Sequence, residues 1–160
     1  MRRALILSLL CLLLCSCAMR SYSDSLNSSE LAKQLTGEIS GLEDYAEYSE
    51  DELEYLLGLS AQGCDLCVIY SKDTDDQGEI GIIRAPSEKN AEEVLREAQA
   101  YLERTKSERR AFVESYLPSE LSKFNSAEAR RFGSYVIYTI LESERAVLVF
   151  DKAEEALKAQ

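Results

Sequence analysis

The chain has 160 residues, 46% of them hydrophobic, with 18 basic residues against 29 acidic ones and a net charge of -11. That length and apolar content fit one modest domain, and the acidic balance excludes nucleic acid and anionic headgroups as surface partners. Histidine and tryptophan are absent, which removes the commonest general base and transition-metal ligand and argues against an enzyme.

Met1-Arg2-Arg3 and the apolar run Ala4 to Leu14 have the layout of a secretory signal. The run is too short to span a bilayer, and Cys15-Ser16-Cys17-Ala18 is a poor A-x-A cleavage site. Leu14-Cys15-Ser16-Cys17 instead resembles the bacterial lipobox. That resemblance implies a signal peptide over 1–16 and a diacylglyceryl group on Cys17, two acyl chains being enough for stable membrane attachment. The expected location is the extracytoplasmic side of the cell membrane.

Residues 17–28 are read as the lipidated cysteine and a serine-rich tether, and residues 29–160 as one α+β domain. A helix is expected from Ser28 or Ser29, with Leu31, Leu35 and Ile39 along one side. The next stretch, Glu43 to Glu54, is densely acidic. Between Cys17 and Ile83 there are 3 basic and 15 acidic residues, so the charge excess is N-terminal and is expected nearest the membrane. Ser49 with Glu52 forms a capping-box pattern for a short helix ending at Gly58. Tyr45, Glu47, Tyr48 and Glu50 form a candidate docking surface for an extracytoplasmic protein partner; a plain solvated helix explains the same residues.

Cys64 to Tyr70 and Ile80 to Ile83 alternate as two strands of a hairpin. Asp73-Thr74-Asp75-Asp76-Gln77-Gly78 between them echoes the start of a calcium loop. The bidentate glutamate due at position twelve is Arg84, so a polar turn explains the segment and no metal is assigned. Ser87 then caps the longest helix, which Pro118 stops. Ala91, Leu95, Ala98, Leu102, Thr105, Phe112 and Tyr116 keep a 4,3 spacing that predicts one buried stripe.

Ala127 to Arg131 and Tyr135 to Leu141 read as a second hairpin turned at Gly133-Ser134, its last strand central in the sheet. Ala146, Val149, Phe150, Ala153 and Leu157 favour a closing helix over a further strand. The expected fold is α+β: an antiparallel sheet of about four strands, as two hairpins, packed against one long helix with short N- and C-terminal helices.

Cys64-Asp65-Leu66-Cys67 is a candidate disulfide or thiol pair. On an extended strand, residues three apart point to opposite faces and lie about 10 Å apart, too far for a bridge. A turn at Gly63 to Leu66 would allow one. No catalytic constellation is recognisable, no cofactor is implied, and no carboxylate is marked by an apolar setting that would raise its pKa.

Glu79-Ile80-Gly81-Ile82-Ile83, Phe112-Val113-Glu114-Ser115-Tyr116-Leu117-Pro118, Phe124-Asn125-Ser126-Ala127 and Gly133-Ser134-Tyr135-Val136, in this order of elements, resemble a family of small lipoproteins and secreted proteins of Gram-positive bacteria. That family is known only as a domain of unknown function. The resemblance spans roughly Leu53 to Leu157 and implies a membrane-tethered extracytoplasmic domain without established enzyme chemistry. The expected function is a binding or accessory module. A solute- or ion-binding lipoprotein is the alternative, and a thiol redox protein using Cys64 and Cys67 comes third.

Overall fold

The computed structural model describes residues 21–49, 53 and 63–158. The expected signal peptide, Cys17 and Glu50 lie outside these residues, as does all of the helix expected after Ser49 except Leu53, whose N–H donates to the Ser49 carbonyl.

Helix α1 is Ser28–Glu38, and its start is built by a reciprocal pair: Asn27 accepts from the Glu30 N–H while the Glu30 carboxylate accepts from the Asn27 N–H. Strands β1 (Tyr45–Glu47), β2 (Asp65–Ser71) and β3 (Glu79–Arg84) follow. The long helix α2 (Glu88–Tyr116) is capped by Ser87. The 3-10 turn Pro118–Glu120 and the short α3 (Leu121–Asn125) lead into β4 (Glu128–Phe132) and β5 (Tyr135–Ile140), and α4 (Ser143–Leu157) closes the domain. Residues 145–150 are therefore helical.

The sheet is antiparallel with five strands in the order β1-β2-β3-β5-β4, one more than expected. The added strand is Tyr45-Ala46-Glu47 on the edge, where the sequence suggests only an acidic surface stretch. Three residues including Ala and Glu carry too little β propensity to announce a strand. β5 lies one strand in from the other edge and β3 is central, which explains why β3 and β5 are apolar on both faces.

The alternation of β2 and β5 sends Cys67, Ile69, Tyr135 and Ile137 to a core shared with α1 and α4. Val68, Val136, Tyr138 and Ile140 face α2. Gly81 allows this second layer to close, because a Cβ there would meet the Tyr138 ring at 1.9 Å.

The stripe of α2 differs from the 4,3 reading. Ala91, Leu102 and Val113 are buried, whereas Phe112 and Tyr116 are 53% and 73% exposed. A strict heptad drifts about 20° per repeat on a straight helix, whereas an 11-residue step stays in phase. Ala91, Leu102 and Val113 are such steps.

Residues 22–28, expected as a tether, lie against the domain. Tyr22 bridges to Lys158, packs edge-on against Phe132 at 5.9 Å, and Ser23 N–H donates to the Leu157 carbonyl. Arg84 donates to the carbonyls of Asp24 and Leu26, Tyr135 O–H donates to the Leu26 carbonyl, and Ser134 Oγ bonds the Asp24 carboxylate. The serine content suggests a free linker, but Tyr22 and Leu26 supply apolar anchors and the strap fills the end of the sheet.

Candidate functional site

At the opposite end of β3 an open cleft of about 270 Å³ lies between the C-terminal part of α2 and the β2–β3 connection. Its floor includes Glu79, 3% exposed, and its walls include Arg109 of α2, Tyr70 of β2, Tyr48 just beyond β1, and the loop residues Asp73 and Thr74. The Tyr48 and Tyr70 rings stack with centroids 4.1 Å apart and planes 23° apart. They are brought together because Tyr48 N–H donates to the Val68 carbonyl and so prolongs the β1–β2 ladder.

Glu79 is the carboxylate that sequence reasoning missed. Glu79 Oε1 accepts from Tyr101 O–H at 2.7 Å and Tyr138 O–H at 2.9 Å, both in the buried layer beneath α2. Burial pushes its pKa above the usual carboxylate range, against the opposing pull of those two hydrogen bonds and of the Arg109 charge. Burial likewise raises the phenols of Tyr101 and Tyr138, with the Glu79 charge adding to it. The available signal was a lone Glu opening an aliphatic strand whose neighbours pair on both sides.

The loop carrying Asp73 and Thr74 is held from below by a buried ammonium. Lys123, 3% exposed, reaches Asp76 at 2.5 Å, Glu120 at 2.7 Å and Glu142 at 3.4 Å. Burial alone would lower its pKa, but the bonds and charges of Asp76 and Glu120 outweigh that and raise it. Glu120 also accepts the Gln77 N–H, and Asp76 the Gly78 N–H. The acids of the segment that echoes a calcium loop are engaged separately: Asp76 is taken by Lys123, and Asp73 accepts from the Asp75 N–H in a local turn. Among the described residues no group of three metal-type side chains forms.

The other predicted site residues are dispersed. Tyr45 packs toward the α1 and α4 layer, its phenol pushed up to about 12 by burial and the Asp76 charge, and Glu47 accepts from Ser29 Oγ at 3.0 Å. Tyr48 lies on the other face of the sheet, so these residues do not share one docking surface. Cys64 and Cys67 are free thiols. Cys67 is in the α1 and α4 core and Cys64 packs with the α2 layer, so the sheet itself separates them. Burial pushes Cys67 up to about 12 and raises Cys64, opposite to the lowered pKa of a working redox pair.

The model of the domain of unknown function DUF4358 matches residues 40–141. The chain belongs to that family. The DUF4358 stretch begins earlier and ends earlier than the resemblance over Leu53 to Leu157, and it contains all five strands, α2 and every cleft residue named above. Helices α1 and α4 and the strap, which together cover one face of the sheet, fall outside it. No curated protein and no solved structure matches this DUF4358 chain. Among the described residues no helix is long and apolar enough to cross a membrane.

Proposed function

We propose that this DUF4358 protein is a lipoprotein, anchored through a diacylglyceryl group on Cys17 at the outer face of the cytoplasmic membrane, whose domain binds a ligand in the cleft between α2 and the sheet. The observation that carries the reading is the placement of that cleft. It adjoins Glu79 at the start of β3, while the strap leading back to Cys17 is fixed beside Arg84 at the end of β3. The six residues of that strand separate the two by about 17 Å. Only five steps of chain connect Cys17 to Tyr22, at most about 18 Å when fully extended.

A domain so attached presents the strap end to the bilayer and the cleft to the aqueous side. Asp44 and Glu43, next to β1 at its Tyr45 end, stand with the cleft, because Tyr45 pairs with Ser71. This supports an acidic face turned away from the lipid, the reverse of the arrangement expected with a free tether. Between the two binding readings, the cleft favours a ligand site over the docking face of Tyr45, Glu47, Tyr48 and Glu50.

Detergent phase separation tests the anchor. The wild-type protein made in its bacterial host should enter the detergent phase, and Cys17→Ser, given an A-x-A cleavage site before position 17 so that residues 1–16 are still removed, should remain in the aqueous phase or the medium. Equal partition of both would contradict the proposal.

A further inference from the structure

The cleft carries both signs of charge on one small surface. Arg109 and Lys72 line it together with Asp73, Asp76 and Glu79, and because Asp76 is already paired with Lys123, two basic and two acidic side chains are left to a ligand. A cationic ligand meets two basic side chains there and an anionic ligand meets two acids, so neither gains a net Coulomb advantage. The same groups supply a neutral ligand with donors from the guanidinium and ammonium and acceptors from the carboxyls. Next to them the Tyr48 and Tyr70 rings, stacked on one another, line the cleft as its aromatic wall.

A pyranose ring has this dual character: an apolar C–H face that lies on an aromatic ring and a rim of hydroxyls that both donate and accept. About 270 Å³ is just below the ~300 Å³ at which drug-sized ligand pockets begin, and suits one ring with its neighbours projecting from the open mouth. Glu79 is oriented before any ligand arrives, since Tyr101 and Tyr138 both hold Oε1 and the carboxyl lines the cleft. Side chains fixed in advance lose little entropy on binding.

We infer that the cleft binds a neutral saccharide, with Tyr70 and Tyr48 as the stacking platform and Arg109, Asp73 and Glu79 as its hydrogen-bonding rim. This rests on the reading of the cleft as the ligand site and adds the class of ligand.

Saturation-transfer NMR on the full-length protein in a sugar-free zwitterionic detergent tests it with four tetrasaccharides: neutral cellotetraose and chitotetraose, the deacetylated cationic tetramer, and anionic tetragalacturonate. At least one neutral tetramer should receive saturation, with a millimolar or tighter Kd and at least fivefold preference over both charged ones. Arg109→Gln should reduce transfer to background at unchanged melting temperature, Tyr70→Ala should do so in a chain that stays folded with a lowered melting temperature, and Tyr70→Phe, which keeps the ring, should retain at least half. Preference for a charged tetramer, binding indifferent to both variants, or no transfer from any of the four would overturn the inference. A charged tetramer that is preferred and loses transfer in both variants would overturn the neutral class and leave the cleft as the ligand site, whereas binding indifferent to both variants would overturn the cleft itself.

Discussion

Glu79 can be ionised only by giving up its hydration, and the two phenols on Oε1 replace part of what water supplied. Its carboxyl titrates near 4.5 in the unfolded chain and higher in the fold. Between those two values the folded state holds the extra proton, so stability falls as pH rises through that window and is level on either side. Glu79→Gln accepts the same phenol hydrogens and does not titrate. Relative to its value at pH 4, the stability of Glu79→Gln over wild type should grow by about 1.4 kcal/mol for each unit by which the folded pKa exceeds the unfolded one. Urea midpoints from pH 4 to 8 check this, and a pH-independent gap would contradict it. Gly81 makes a second residue-scale prediction. A Cβ at 1.9 Å from the Tyr138 ring must displace the phenol that holds Glu79, so Gly81→Ala should cost about 2 kcal/mol or more in chemical denaturation and, by removing a hydrogen bond that favours the carboxylate, should steepen the loss of stability with rising pH assigned to Glu79.

At the scale of elements, the Lys123 cluster ties the β2–β3 loop to the 3-10 turn and to the start of α4. Removing the ammonium leaves three carboxylates facing one another in a partly buried space. Breaking a buried pair this way costs about 3 to 5 kcal/mol, and the 44% exposure of Glu142 puts Lys123→Met at about 3 kcal/mol by denaturant midpoint. The elements themselves were largely legible in the sequence, because periodicity and caps are local. Ser87 and Pro118 bound α2, and Gly133, at φ +60°, turns the second hairpin. What was not legible depends on distant partners. Tyr45-Ala46-Glu47 is a strand only because β2 offers it an edge, and the buried stripe of α2 departs from the 4,3 series beyond Thr105 because a heptad drifts on a straight helix. Lys123 and Glu79 are ordinary surface residues in sequence, and only the meeting of α2, α3 and the β2–β3 loop buries them.

For the whole molecule, the strap sets the orientation. Tyr22 through Leu26 are locked to Phe132, Ser134 and Tyr135 at one end of the sheet, and the cleft opens at the other. The candidate site was hidden from the sequence for the same reason: Tyr48, Tyr70, Glu79 and Arg109 are spread over 62 positions and converge only through the antiparallel register. The lipidated protein in nanodiscs doped with a gadolinium-chelating lipid tests anchoring and orientation in one measurement, through paramagnetic broadening of backbone amides. The account predicts strong broadening at Gly133 and Ser134 and little at Asp73 to Gly78. Broadening strongest at the β2–β3 loop, or equal at both ends, would contradict it.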